Sequence, residues 1–362
     1  MSKDAAFEEF ESGLLKNVPL APMTTLGIGG PARYFAECAT DENLLAGVEW
    51  AHAQGLPLFV LGGGSNIVVS DSGFSGLVLR VAIRGIETSF AGDKVTLTAG
   101  AGEEWDRVVA MSADYGWAGF ECLSGIPGRV GATPIQNVGA YGQETSETLQ
   151  SLEALDLQKG ELIEMNAEEC EFGYRASRFK SRDRNRFIIT RVTYRLTACG
   201  KPDIRYAELQ RYLSDNGASD ATPAQVRNAV IAIRRRKAMV IDPVDADSRS
   251  VGSFFVNPVV TREEFERVKD IAHKFTPEMP AFPASDDTVK LSAAWLIERA
   301  GFERGYRSGN VGTSTKHALA IINCGGGTAR EVIELKEQIQ SRVMDAFGIA
   351  LMPEPVFVGF DL

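Results

Sequence analysis

The sequence predicts an α+β fold spread over more than one domain, and three observations lead there. Segments of helical period and of strand period follow one another along the 362 residues without any internal repeat. Two aperiodic, glycine-rich stretches, Leu61–Asn66 and Gly125–Glu144, interrupt them. The chain is also long enough for two or three cores, with 44% hydrophobic and 24% charged residues, ordinary for globular domains.

The elements follow in order. Thr40 caps a helix whose Leu44, Val48 and Ala51 share one face, and Gly55 stops it. Leu58–Leu61 is a short buried strand running into three glycines, with the apolar run Ile67–Val69 beyond and a further strand at Leu77–Val81. Lys94–Thr98 alternates as a strand, and a helix around Trp105, Val108 and Val109 ends near Gly116. Leu152–Leu157 and Glu161–Ile163 flank Lys159-Gly160 as a hairpin, and Arg186–Leu196 is a long strand. Thr222-Pro223-Ala224-Gln225 opens a helix with a cap, a proline at the first position and a reciprocal glutamine. That helix ends at Arg234–Lys237, where the cations complement its C-terminus.

After the polar loop 242–250 comes a helix capped by Thr261 and Glu264, with Phe265, Val268 and Ala272 apolar. A second helix lies around Leu291, Trp295 and Ile297, and a strand at Ala318–Ile322. The last helix starts at Thr328 with Glu331 and carries Val332, Leu335, Ile339 and Val343. Prolines keep the tail Leu351–Val358 extended. These elements divide into residues 1–83, 84–237 and 238–349, with 350–362 as a returning tail.

A net charge of −10 argues against a general nucleic-acid binder, which needs clustered Lys and Arg. Five widely spaced cysteines, odd in number and without a C-x-x-C pair, argue against disulfides and zinc, so no metal is expected. The N-terminus lacks the basic and apolar regions of a signal peptide, and no segment reaches the roughly 18 apolar residues of a membrane span. A cytoplasmic protein without membrane partners is expected.

The glycine stretches carry the functional signal. Gly62, Gly63 and Gly64, with Ser65 and Asn66, read either as a tight turn or as a backbone cradle for phosphate, and three consecutive glycines favour the cradle. Such a cradle suits an acidic protein, since N–H groups bind the anion. It is neither a Walker loop nor a G-x-G-x-x-G fingerprint. The second stretch, with Gly125, Ile126, Pro127, Gly131, Ala132, Asn137, Gly139, Ala140 and Tyr141, reads as a second cradle for the same large ligand.

The order of motifs is more specific than any one of them. Thr25-Leu-Gly-Ile-Gly-Gly-Pro-Ala-Arg-Tyr-Phe35, Leu61-Gly-Gly-Gly-Ser-Asn66, Gly125-Ile-Pro-Gly128 with Asn137-Val-Gly-Ala-Tyr-Gly142, Tyr174-Arg-Ala-Ser-Arg-Phe-Lys180, Gly252-Ser-Phe-Phe-Val-Asn-Pro258 and Pro353-Glu354 resemble the UDP-N-acetylenolpyruvoylglucosamine reductase (MurB) family, from about residue 20 to 360. The resemblance implies a two-part FAD-binding domain of the vanillyl-alcohol-oxidase/PCMH type and a separate α+β substrate-binding domain. It implies non-covalent FAD, for Leu61 stands where some flavin enzymes place an attachment histidine. It further implies NADPH and a UDP-sugar alternating at one site, in a monomer of the longer subtype with a substrate-closing Tyr loop.

By the same resemblance Ser253 is the proton donor, Arg175 polarises the substrate carboxylate and Glu354 is the carboxylic partner. A guanidinium forks onto a carboxylate and stabilises growing charge. A Glu that donates to that charge needs burial or neighbouring charge to keep its proton. Taken singly, a Ser is most often a cap or turn residue and an Arg a surface ion-pair residue. Tyr206 resembles the mobile-loop tyrosine, Lys237 a phosphate contact, Asn257 a substrate amide, and His317 lies in a loop near substrate in relatives. Val256 departs from the frequent Lys of the S-F-F-x-N-P motif, and Ala238-Met-Val-Ile-Asp-Pro243 from the commoner Leu-Pro-Asp-Pro, so phosphate contacts need not match. Two rivals share the flavin: an oxidase or dehydrogenase of another alcohol, and a flavin protein without catalysis. A plain sugar-nucleotide binding module predicts colourless protein.

Overall fold

Thr222, Pro223 and Gln225 do what their order predicts. In the computed structural model, which describes residues 3–275, 278–285 and 287–360, Thr222 accepts the Gln225 N–H and the Gln225 side chain returns to the Thr222 N–H. Reciprocal boxes of the same kind open the helices Arg262–Ala272 and Ala329–Phe347. Thr40 caps Asp41–Ala53. Gly348, left-handed at φ 67°, ends the last helix.

The chain forms two compact units, each built from discontinuous segments. The first holds Met1–Val18, Ala32–Gly64 and Phe74–Val240, and the second Pro19–Pro31, Ser65–Gly73 and Ile241–Leu362. Residues on both sides of the expected 83/84 break thus belong to the first unit, and the longest segment of the second begins at Ile241.

In the first unit, Phe74–Val81 lies parallel between Pro31–Cys38 and Leu58–Leu61. A larger antiparallel sheet runs in the order Glu161–Asn166, Leu149–Asp156, Phe187–Ala198, Lys94–Gly100, Ile86–Ala91, with Trp117–Ala118 pairing beside Phe187–Ala198. Alternation along Lys94–Gly100 buries Val95, Leu97 and Ala99, which join Leu77, Leu79, Trp105 and Tyr194 in the main core. A smaller core of Leu209, Val226, Val230 and Ile233 joins the helices Ala207–Asp215 and Pro223–Arg236, with Tyr141 packed against it. The tip of the second glycine stretch is therefore seated on a helix pair.

The second unit has a core of Leu26, Phe254, Phe255, Leu296, Val332, Leu335 and Phe347. Val356–Val358 pairs in parallel with Ile67–Val69, joining the tail to the run after the first glycine loop.

Two expectations need correction. Leu291 ends the strand Thr288–Leu291, because Ser292 caps the next helix by accepting the Trp295 N–H; that helix is Ala293–Arg299. The strand expected at Ala318–Ile322 is Ile321–Asn323, because the Ala320 N–H bonds the His317 carbonyl in a turn first.

Candidate active site

In the first unit the two glycine stretches meet backbone to backbone. A Cβ on Gly63 would stand 2.6 Å from the Gly128 Cα, and one on Gly131 would stand 2.6 Å from the Ala101 Cβ, so neither position admits a side chain. A Cβ on Gly62 would stand 3.7 Å from the Ala132 Cβ, an ordinary contact. The N–H groups of Gly63 and Gly64 donate to no described residue. Ile126 packs on the main core, and Pro127 follows it, half-buried.

Half-buried and buried side chains hold this backbone. The Gly125 N–H donates to Asp106 Oδ1 at 2.5 Å, and Arg227 forks onto both oxygens of Asp106 at 2.6 and 2.9 Å. Burial works against the Asp106 charge, but the bonds from Arg227 and Gly125 outweigh it and hold the pKa below the ordinary value. Gly139–Ala140 pairs with Gln143–Glu144 across Tyr141 and Gly142, both at positive φ (49° and 85°), a hairpin turn of the I′ kind. Gln143 reaches buried Glu121 with its amide N–H at 3.2 Å and takes the Cys122 N–H at 2.8 Å. Asn137, buried at φ 46°, donates to Glu144 Oε2 at 2.7 Å and the Gly173 carbonyl at 3.1 Å, and accepts the Ser146 N–H.

Arg175 sits in a tight turn closed by two bonds between Gly173 and Ala176, with φ 54°, a conformation where glycine or asparagine is usual. Its Nη2 donates to the Gly139 carbonyl at 2.6 Å, which brings the guanidinium to the second glycine stretch. A non-glycine residue held there stores strain, and such strain clusters at functional sites. Tyr206, just before the helix Ala207–Asp215, lays its ring edge-on to Tyr141 at 5.3 Å. Lys237 ends the helix Pro223–Arg236, with Nζ 5.9 Å from the Tyr141 ring centre and 2.6 Å from Glu208 Oε2. Burial raises the pKa of both tyrosine hydroxyls. Tyr141, Tyr206 and Lys237 thus gather at the loop tip.

Ser65, Asn66, Ser253, Asn257, His317 and Glu354 belong to the second unit. There the segment carrying Ser253 is pinned on two sides. The Phe254 N–H bonds the Leu319 carbonyl at 2.8 Å, and the Glu354 N–H bonds the Phe254 carbonyl at 2.9 Å. The Val256 N–H reaches the Met352 carbonyl at 3.0 Å, so Ser253 and Glu354 come from adjacent antiparallel segments. The Ser253 hydroxyl has no hydrogen-bond partner among the described residues and is half-buried. Asn66 joins the same group: its side-chain amide lies 3.4 Å from the Glu354 carbonyl, and its own carbonyl accepts the Val356 N–H. Ser65 places its carbonyl 3.4 Å from Thr25 Oγ1.

Asn257 does structural work with its oxygen, which accepts the Ala293 N–H at 2.9 Å at the start of a helix. His317 accepts the Leu319 N–H on Nδ1 at 3.1 Å, so a neutral ring carries its proton on Nε2. Its loop is held by Asp247, which accepts from Ser314 Oγ, Thr315 N–H and Thr315 Oγ1 at 2.9, 2.8 and 2.6 Å, and Lys316 pairs with Asp245 at 2.6 Å. The sequence reading passed over Asp106, Glu121, Gln143 and Asp247. Their partners are far away in sequence or are main-chain groups, and no motif marks them.

Comparison with known proteins decides the family. Residues 242–358 match the C-terminal domain of UDP-N-acetylenolpyruvoylglucosamine reductase, and residues 32–166 match an FAD binding domain. The UDP-N-acetylenolpyruvoylglucosamine reductase of Thermobifida fusca (strain YX) is 48% identical over 96% of this chain and 98% of its own length. The chain belongs to the UDP-N-acetylenolpyruvoylglucosamine reductase family. It is an FAD-dependent oxidoreductase. The corresponding reductase of Streptomyces coelicolor is 44% identical over 96% of this chain and 91% of its own. The crystal structure of the Thermus caldophilus reductase (MurB) superposes with a TM-score of 0.64 at 26% identity, covering 95% of this chain and 98% of that one. p-Cresol methylhydroxylase with substrate bound shares the fold, with a TM-score of 0.50 at 11% identity over 98% of this chain and 89% of its own. The α+β fold is therefore of the PCMH type. No helix of the described residues is long and apolar enough to cross a membrane.

Proposed function

We propose that this chain reduces UDP-N-acetylglucosamine enolpyruvate to UDP-N-acetylmuramate, a peptidoglycan precursor, with NADPH as reductant and FAD as mediator. The observation that carries the reading is the pairing of the Ser253 segment with the Glu354 segment, which brings two candidate proton-handling groups into neighbouring antiparallel segments. The backbone fits FAD: the glycine stretches close on one another without side chains, and Gly63 and Gly64 offer unengaged N–H groups for a pyrophosphate. Gly62, Gly125, Gly131, Ala132, Asn137, Gly139, Ala140 and Tyr141 complete the cradle, with Ser65 and Asn66 continuing the first loop.

Bound FAD supplies hydride transfer between NADPH and the enolpyruvyl β-carbon. The residues of the chain do the rest. Arg175 forks onto the substrate carboxylate and stabilises charge growing there. Ser253 Oγ gives its proton to the α-carbon; that centre is enolate-like and basic enough to take it from a neutral hydroxyl, so no Ser–His pair is needed. Glu354 is the carboxylic partner at the same centre. Tyr206 and Lys237 receive the nucleotide-sugar, Asn257 keeps its NH₂ for the ligand, and His317 lines the loop beside it. NADPH and the UDP-sugar take turns at one site, in a cytoplasmic monomer of the longer subtype, and the three-part division at 83/84 and 237/238 describes its functional lobes.

The test is an anaerobic visible spectrum titrated with NADPH and then with UDP-N-acetylglucosamine enolpyruvate. A flavin band that bleaches and then returns is expected. Bleaching without return would discard this substrate and leave the rival dehydrogenase of another alcohol. A protein that takes up no FAD would undo the reading.

A further inference from the structure

Ser253 has no anchoring bond on its hydroxyl, so its aim is set by the turn that precedes it. Hydrogen bonds from outside and within fix that turn inside the second unit. Thr25 Oγ1 donates to the Ser250 carbonyl at 2.6 Å, with the Ser65 carbonyl 3.4 Å from the same oxygen. A hydroxyl has one proton to give, and the shorter contact takes it. Ser250 is buried, and its own Oγ accepts the Gly252 N–H at 3.1 Å. Gly252 follows at φ 76°, a left-handed step that turns the chain into Ser253.

The far side is closed as well. The Asn323 N–H donates to the Arg249 carbonyl at 3.0 Å, and Asn323 Nδ2 returns to the Leu26 carbonyl at 3.0 Å. The segment Thr25–Gly27 and the turn 249–252 are therefore tied together at both ends. A chain of bonds runs from Thr25 through Ser250 and Gly252 to Ser253, and it begins beside the last residues of the first glycine loop.

We propose that Thr25, acting through Ser250, is a positioning residue that aims the Ser253 hydroxyl at the reacting carbon. The proposal rests on the proton-donor reading of Ser253. Proton transfer to carbon needs donor and acceptor aligned within a few tenths of an ångström, and it completes the half-reaction in which substrate reoxidises the flavin, so a loosened turn slows that half-reaction while leaving hydride delivery from NADPH to the flavin alone.

The experiment compares Thr25→Val, Thr25→Ser, Ser250→Ala and Ser253→Ala as FAD-loaded enzymes in anaerobic stopped flow. In Thr25→Val, flavin reduction by NADPH is expected within about twofold of the parent, while reoxidation by UDP-N-acetylglucosamine enolpyruvate slows about tenfold. The solvent deuterium isotope effect on reoxidation should grow, and Thr25→Ser, which keeps the hydroxyl, should restore the rate. Parent-like reoxidation in Thr25→Val, an equal fall in both half-reactions, or no rescue by Thr25→Ser would overturn the proposal. If Thr25→Val does not fold, Ser250→Ala, which cuts the same chain one bond later, is read by the same criteria. Ser253→Ala separates the two claims. Intact reoxidation there removes the proton-donor reading itself, whereas slow reoxidation beside a parent-like Thr25→Val removes only the role of Thr25.

Discussion

Between Gly125 and Glu144, the stretch proposed to cradle FAD, it is the backbone that is offered, and side chains such as half-buried Asp106 and buried Gln143 and Asn137 serve to hold it. Between Arg249 and Val256 the order is reversed. There the backbone is fixed to Leu319 and Met352, so that one side chain, Ser253, is left unengaged. The first arrangement stores strain, with Asn137, Tyr141 and the neighbouring Arg175 all at positive φ. The second holds left-handed backbone only at glycine, at Gly252. A cradle for a large anion needs its N–H groups turned one way at whatever conformational cost, whereas a proton donor needs only a stiff support.

Breaking each side of that contrast has a different signature. The largest effect is expected at the serine. Ser253→Ala should leave reduction by NADPH nearly intact and slow reoxidation by substrate on the order of 10³-fold, read in separate half-reactions. Equal losses in both would mean that the turn serves the flavin instead. Arg175 comes next. Arg175→Asn should lower the substrate half-reaction on the order of 10²-fold, while the melting temperature holds or rises, because Asn tolerates the left-handed turn that strains Arg by about 1 kcal/mol. A marked fall in melting temperature would show that the guanidinium bond to Gly139 is structural first.

Acid sharpens the cradle side. Asp106 has a depressed folded pKa, so its contribution to stability is complete above its unfolded value, near pH 4, and is lost as pH falls through the lower folded value. FAD retention should weaken across that acid window, and Asp106→Asn should weaken it at neutral pH and flatten the acid limb. Fluorescence of released flavin reports both. The smallest effect belongs to a control remote from both regions: Thr261→Ala removes one helix cap and should cost about 1 kcal/mol of stability in a denaturant titration, with both half-reactions unchanged.

What was legible in the sequence follows the range of the interactions. The boxes at Thr222, Thr261 and Thr328 close within three residues, and their residue types alone specify them. The hairpin across Lys159-Gly160 is equally local, with Asp156 opposite Glu161. Arg175 was legible as a motif residue but not as a strained one, since Gly-Tyr-Arg-Ala carries its glycine at the wrong place to announce a left-handed third residue. Asn257 was legible as an amide, yet its oxygen caps a helix 36 residues away. The Thr25–Ser250 bond spans 225 residues, and no local pattern encodes such a pairing. Helix Ala207–Asp215, which seats Tyr206, was missed because its apolar positions are few and tertiary packing on Val226 and Val230 supplies the stability.

The parallel pairing of Val356–Val358 with Ile67–Val69 has a consequence for biosynthesis. Residues near the start of the second unit wait for a partner made almost 300 positions later, as do Asn66 and Glu354, 288 apart. A ribosome can release the whole first unit while the second still lacks the strand that completes it. Closing so long a loop is slow, and the waiting edge is open to wrong pairing. An interrupted polypeptide would therefore carry the glycine loops without Glu354 beside the Ser253 segment. On the proposed roles, competence for the proton transfer is withheld until residues 354–358 have been made.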